Sequence, residues 1–431
     1  MHTRKVARIA ASLALLAVLT ACGGGGGGGS TSSSGGAASS QVGGAAGSAS
    51  KILNEAYYTY NTSSSGGLGF ASRSGQSGFA IDALGNVWMT SLNGPLASDD
   101  LFEVTPSAAS DCSSGCQAYT APSLLGADQA LAIDQKGDVF VSSVIDATLG
   151  EYIQAGTPVQ CSTNGGYTAS EVSDTTQAIS VNKAGLVFLG GVKGVWSLSS
   201  ALPDAHGNCT GTLAVTYPAS VATNGYPPEA MGIDSAGNVW AAIPSSSGNS
   251  EYIFRNNSLF LTEHSRLTGV TSLAIDGSGN VWLAFTGTNA AGTGAAGFVL
   301  KIDATATANC ASGCTTFNSP YFSSGLASYI GNPEPGAVAI DGAGTAWVLA
   351  NGYNVVVAIT PTAAADCSSG CQVYQAAITS SGTPTIDGSW LAVDGSGNVW
   401  MSGDNLSGSG GLVEALKLAA ATATPLAAQT R

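Results

Sequence analysis

One twelve-residue pattern occurs seven times in this chain, and it limits the fold more than any other feature. The copies are FAIDALGNVWMT (79–90), LAIDQKGDVFVS (131–142), ISVNKAGLVFLG (179–190), MGIDSAGNVWAA (231–242), LAIDGSGNVWLA (273–284), VAIDGAGTAWVL (338–349) and LAVDGSGNVWMS (391–402). Each is an apolar run, an Asp or Asn, a Gly-bearing turn and a second apolar run: two strands joined by a hairpin. The anchors are Asp82, Asp134, Asn182, Asp234, Asp276, Asp341 and Asp394, spaced by 52, 48, 52, 42, 65 and 53 residues. A period near 50 with several short strands per period points to a β-propeller and not to a helical solenoid.

Each column of the repeat has a physical reason. The residue before the anchor is always Ile or Val, as a buried strand prefers. Two before it stand only small residues, Ala80, Ala132, Ser180, Gly232, Ala274, Ala339 and Ala392, as expected where inner strands converge. Three after the anchor is always Gly, from Gly85 to Gly397, because the turn needs φ > 0. The anchor side chain is expected to bond turn amides. Six after it is an aromatic, Trp88, Phe140, Phe188, Trp240, Trp282, Trp347 or Trp400, sized to pack between adjacent sheets.

A third strand follows in each unit, for example EYIFRN (251–256) and VVVAITP (355–361). A fourth follows a polar loop, as in QAYTAP (117–122) and QVYQAA (372–377). The last unit lacks a fourth strand of this kind, and EAYYTY (55–60) near the N-terminus resembles one. The expected fold is therefore all-β: a seven-bladed propeller of four-stranded antiparallel blades over residues 51–431, its ring closed by an N-terminal strand.

The chain begins MHTRKVARIAASLALLAVLTAC. A basic start precedes an apolar run too short to span a bilayer, which reads as an export signal over residues 1–21. Leu19-Thr20-Ala21-Cys22 resembles a bacterial lipobox. That resemblance implies cleavage before Cys22 and a lipid anchor on its sulfur, with palmitate among the acyl chains; ordinary cleavage with a free thiol is the alternative. Gly23 in place of the inner-membrane retention Asp favours the outer membrane of a Gram-negative cell, on its periplasmic or surface face. Residues 22–50 comprise Cys22 and a Gly/Ser/Ala-rich tether, averaging about 30 Å end to end.

Without Arg4, Lys5 and Arg8 the chain holds 10 basic residues against 27 acidic. That balance argues against nucleic acid as a partner. The eight remaining cysteines suit an oxidising compartment. Cys112/Cys116, Cys310/Cys314 and Cys367/Cys371 are C-x3-C pairs without His partners, and read as local disulfides in preference to a metal or redox motif. Cys161 and Cys209 are left over, and their pairing with each other stays open.

The strand, D-x-x-G-N and V-W-strand pattern, with Pro ahead of it in PPEAMGID (227–234) and EPGAVAID (334–341), resembles the NHL repeat. It is also similar to the streptogramin (virginiamycin B) lyase-like propellers. The resemblance covers roughly residues 70–418. It implies the fold, and for the lyases a His, a Glu and magnesium at the propeller mouth. This chain departs from that set. His2 falls in the export signal, His206 in a loop, and His264 beside Glu263 in LFLTEHSRLT (259–268), which reads as a solvated edge and not as an acid/base pair.

No nucleophile motif is found. The DGSGN turns read as structural and not as calcium loops, because calcium needs 6–8 oxygens and each turn offers one carboxylate. Ligands of propellers favour the channel mouth, lined where the inner strands begin. Five before each anchor stand Ser77, Gln129, Gln177, Glu229, Thr271, Gly336 and Ser389, with Asp128, Glu334 and Trp390 nearby. This column varies where the others are fixed. Trp390 replaces Gly, Ala or Ser of the other copies, and would either cap the channel or stack on a ligand. The candidate ligand residues are Gln129, Gln177, Glu229, Thr271, Ser389 and Trp390.

The sequence thus predicts a non-enzymatic envelope protein, favoured as a monomer, binding an envelope protein or a small-molecule or saccharide ligand at the mouth, with no cofactor. The alternative is a lyase- or lactonase-like enzyme using a divalent metal.

Overall fold

The computed structural model describes residues 51–52, 55–59, 76–91, 100–108, 114–120, 128–134, 137–143, 149–153, 157–159, 176–182, 185–191, 194–199, 212–218, 227–244, 251–256, 258–263, 269–285, 297–318, 334–351, 355–375, 386–394, 398–405 and 413–418. The export signal, Cys22, the tether, Cys112, Cys161, Cys209, His206, His264 and Gly397 lie outside them.

The protein is an all-β propeller of antiparallel sheets. Among the described residues the helical structure is one 3₁₀ turn, Ala308–Cys310. Sheet 1 runs Gln76–Ile81, Val87–Ser91, Asp100–Val104, Cys116–Thr120, and sheet 2 runs Asp128–Ile133, Val139–Ser143, Leu149–Ile153, Thr157–Val159. Sheet 3 runs Thr176–Val181, Val187–Gly191, Gly194–Ser199, Thr212–Pro218, and sheet 4 runs Ala230–Ile233, Val239–Pro244, Glu251–Arg255, Ser258–Glu263. Sheet 5 runs Val270–Ile275, Val281–Phe285, Phe298–Ile302, Cys314–Phe317. Sheet 6 runs Glu334–Ile340, Ala346–Asn351, Val355–Ile359, Cys371–Gln375, and sheet 7 runs Ile386–Val393, Val399–Asn405, Val413–Leu418.

The N-terminal segment supplies the missing outer strand of sheet 7. Glu55–Thr59 pairs antiparallel with Val413–Leu418, Tyr57 opposite Leu416. One feature was not legible in the repeat. Lys51–Ile52 adds a fifth strand to sheet 6, parallel to Cys371–Gln375, so this sheet departs from the expected four.

The first strand of each sheet lies beside that of the next, and the first strand of sheet 7 lies beside that of sheet 1. The core sits in the seams between sheets. Trp240, Ile253 and Phe260 of sheet 4 pack with Val281, Leu283 and Phe285 of sheet 5. Trp88 and Leu101 of sheet 1 pack with Val139 and Val141 of sheet 2. Trp400 of sheet 7 packs with Val87, Met89 and Val104 of sheet 1. The aromatic column therefore fills seams, where each large ring withdraws much apolar area from water. Small residues two before the anchor follow from the same crowding. A Cβ on Gly232 would stand 2.6 Å from Leu273 Cδ2 of the next sheet.

The C-x3-C segments close the hairpins between third and fourth strands. Cys310–Cys314 and Cys367–Cys371 are disulfides, and Cys116 is also disulfide-bonded. The three hairpins share a backbone pattern: Thr105, Asp303 and Thr360 N–H groups donate to the carbonyls of Gly115, Gly313 and Gly370. A Cβ on any of these glycines would approach backbone carbon of Ala108, Ala306 or Ala363 to 2.5–2.8 Å. The Gly before the second Cys is thus set by close backbone approach.

Candidate functional site

Each sheet has two ends, and the seven-fold motif lies at the turn end. Asp234 Oδ1 accepts the N–H groups of Ala236 and Asn238 at 3.0 and 2.8 Å. Its Oδ2 accepts Asn238 Nδ2 at 2.8 Å and the Trp240 indole N–H at 3.0 Å. Asp82 and Asp276 repeat all four bonds. Asp341 and Asp394 likewise bond turn amides and the indole of Trp347 or Trp400. Gly85, Gly237, Gly279 and Gly344 have φ of +79° to +84°. The carboxylates are fully engaged by protein donors, so this end is structural. The indole bond escaped sequence reading, although Asp and Trp six apart in five copies were its signal.

The other end, where the first strands begin, is irregular in a regular way. The pairing of first and second strands slips between Gln76 and Gly78, Asp128 and Ala130, Thr176 and Ala178, Val270 and Ser272, Pro335 and Ala337, and Gly388 and Trp390. The skipped residues are Ser77, Gln129, Gln177, Thr271, Gly336 and Ser389, the variable column of the sequence. In sheet 4 the same position is Glu229, just before the strand, whose N–H donates to Ala242 O at 2.9 Å. Bulges free a residue from the ladder and re-aim its side chain, and they concentrate beside functional sites. The column varies because the ladder does not constrain it.

The fates of its members differ. Glu229 is exposed. Thr271 bridges sheets 5 and 6, its hydroxyl 2.8 Å from Pro335 O and 3.2 Å from Ala284 O. Ser272 Oγ accepts the Val338 N–H at 3.2 Å across the same seam. Trp390 is half-buried, opposite Ser402 on the second strand. The side chains of Gln129, Gln177, Ser389, Asp128 and Glu334 lie outside the described residues, though their backbones hold the predicted positions. Among the described residues no three His, Cys, Asp or Glu side chains are placed to hold a metal ion.

The residue that sequence reading missed is Glu251, first in the third strand of sheet 4. It pairs with Pro244 and Glu263 on its two sides, which puts it at the same end as Glu229. It is 1% exposed, and neither carboxyl oxygen has a hydrogen-bond partner. Burial, then the neighbouring Glu229 carboxylate, push its pKa up to about 9. The backbone N–H groups of Gly269 and Val270 face it and pull the other way, without reaching hydrogen-bond geometry. Glu251 is therefore a neutral acid at pH 7, beside an exposed carboxylate. Its signal was present: the corresponding sequence positions in the other copies are Asp99, Ala147, Lys193, Gly297, Asn354 and Val413.

No protein-family model matches the chain, and no curated protein matches it by sequence. Solved structures do resemble it. A catalytically inactive virginiamycin B lyase from Staphylococcus aureus, solved with quinupristin, aligns at TM-score 0.56 and 12% identity, covering 85% of this chain and 100% of that one. A streptogramin B lyase aligns at TM-score 0.54 and 15% identity, over 85% of this chain and 98% of that one. The extracellular domain of a putative hybrid two-component system from B. thetaiotaomicron aligns at TM-score 0.53 and 13% identity, over 84% of this chain and 41% of that one. This chain shares their propeller fold. At these identities the likeness carries fold and not activity.

Proposed function

We propose that this chain is an exported, lipid-anchored propeller of the outer membrane that binds a partner protein or small ligand on its mouth face and catalyses nothing itself. The observation that carries the reading is the bulge column. The repeat is uniform at the turn end, and its variable residues collect at the end where the ladder releases them. Glu229 in that column and Trp390, directly after its member Ser389, are the most distinctive residues at this end. A pull-down from envelope extract tests it, comparing wild type with Glu229→Ala/Trp390→Ala. Loss of specific partners is expected, and an identical captured set would overturn it.

The proposed organisation is a signal peptide over 1–21, lipidated Cys22 and tether over 22–50, and a seven-bladed ring over 51–431. Pairing of Glu55–Thr59 with sheet 7 and packing of Trp400 against sheet 1 support a closed ring. Deleting residues 51–62 should lower the melting temperature sharply, and unchanged melting would refute closure. Labelled palmitate should enter the wild type and not Cys22→Ser.

A second reading, a divalent-metal lyase or lactonase, is favoured by the likeness to virginiamycin B lyase along 85% of this chain. Conversion of quinupristin in the presence of Mg²⁺, followed by chromatography, would establish it in place of the first.

A further inference from the structure

Glu251 breaks a rule that nearly all of the described residues keep. Among the described residues, the buried side-chain polar atoms without a partner are its two oxygens and the Trp196 indole nitrogen. Buried polar groups are otherwise hydrogen-bonded, because leaving one unmade forfeits its hydration. The repeat does not require an acid in every sheet, since the corresponding sequence positions hold Ala, Gly, Asn, Val and Lys as well as Asp99. A buried acid without a hydrogen-bond partner, beside a second and exposed carboxyl just ahead of the first strand, is the arrangement expected of a functional group.

The surroundings define what could satisfy it. The second strand presents Pro244 and the fourth strand places Glu263 opposite. The adjoining first strand of sheet 5 brings the Gly269 and Val270 backbone, and Glu229 lies on the solvent side. Among the described residues no basic side chain is placed with these neighbours. Glu251 once ionised would need N–H donors and a positive charge. A guanidinium offers both in a planar fork matched to a carboxylate, and an ammonium offers three donors. A hard divalent cation fits less well, because it needs six or more oxygens and two carboxyl groups supply four. The formal net charge of −14 draws cations toward the surface.

We propose that Glu229 and Glu251 form a site for a guanidinium or ammonium group, and that binding there expels the proton of Glu251 to solvent. This deepens the mouth-face reading and rests on it. Glu229 is the outer contact and Glu251 the inner one. The cation replaces the proton, one positive charge for another, so uptake strengthens as pH rises.

Calorimetric titration of the full chain with argininamide at pH 7, in two buffers of different ionisation enthalpy, tests this. The expected result is saturable binding with close to one proton released per site. Glu251→Gln, which keeps the shape of the neutral acid, should release none and bind at least tenfold more weakly. Glu229→Gln should also weaken binding. A short arginine-containing peptide run in parallel separates the two sources: tighter binding of the peptide assigns the group to a partner's side chain, tighter binding of argininamide to a small ligand. The proposal is overturned if argininamide gives no saturable heat, if Glu251→Gln releases the proton as wild type does, or if CaCl₂ binds with proton release where argininamide does not. If argininamide fails while Glu229→Ala/Trp390→Ala still loses its partners, this inference falls and the mouth-face reading stands.

Discussion

The two ends of sheet 4 treat a buried carboxyl in opposite ways. At the turn end, Asp234 receives four protein donors. Burial raises its pKa, but the bonds from Asn238, Trp240 and the turn amides outweigh burial and hold it below the ordinary value. At the mouth end, Glu251 is more deeply buried, has no hydrogen-bond partner and lies beside the Glu229 carboxylate, and burial wins. Burial pushes both acids up, and at Asp234 the supply of N–H donors reverses it. In sheet 4 the turn end surrounds its acid with donors, and the mouth end leaves its acid without a hydrogen-bond partner.

The most disruptive way to break this contrast is to remove the well-supplied acid. Asp234→Ala strands two turn amides, the Asn238 amide and the buried Trp240 indole, and should cost roughly 3–5 kcal/mol in urea unfolding, since each buried donor left unmade costs about 1–3 kcal/mol. A loss under 1 kcal/mol would show that the bonds matter little.

The contrast also predicts opposite responses to pH. Asp234 has a lowered folded pKa, so its contribution is present at neutral pH and is lost as pH falls through that value, below 3.8. Glu251 has a raised folded pKa, so its contribution is complete below 4.5 and drains away up to about 9. In that window the unfolded chain has released the proton and the folded one has not, a slope of about 1.4 kcal/mol per pH unit. Glu251→Gln should therefore be more stable than wild type at pH 8, by a few kcal/mol at most, with no difference at pH 4. Parallel stability curves for the two proteins would contradict the neutral buried acid.

A smaller effect separates ladder from seam. Thr271→Val keeps the side-chain shape and removes the hydroxyl between Ala284 O and Pro335 O. It should cost about 1 kcal/mol. Trp240→Phe, which loses one indole bond but keeps a ring in the seam, should cost a comparable amount by itself and add little to Asp234→Ala, because the two share the bond.

Part of the site was legible and part was not, for identifiable reasons. Glu229 and Thr271 stand in the variable column, and Trp390 departs from the column after it; alignment of the copies defines both. Thr271 then proved to join two sheets, which no single repeat could reveal, since Pro335 O lies 64 residues away. Glu251 lies outside the columns of the repeat, which span the first two strands, because it opens the third strand after a linker of varying length.

The sequence by itself determined the strand pairs, the Asx-type turns, the small and aromatic columns and the N-terminal strand for sheet 7. These rest on local geometry repeated seven times, and repetition makes a weak local signal readable. Only the tertiary structure decided that the variable column is a row of bulges in six of the seven sheets, that Lys51–Ile52 joins sheet 6, and that Glu251 sits without a hydrogen-bond partner beside Glu229. Register, burial and the field at a carboxyl depend on which strands meet across a seam, and residues far apart in the chain set those meetings.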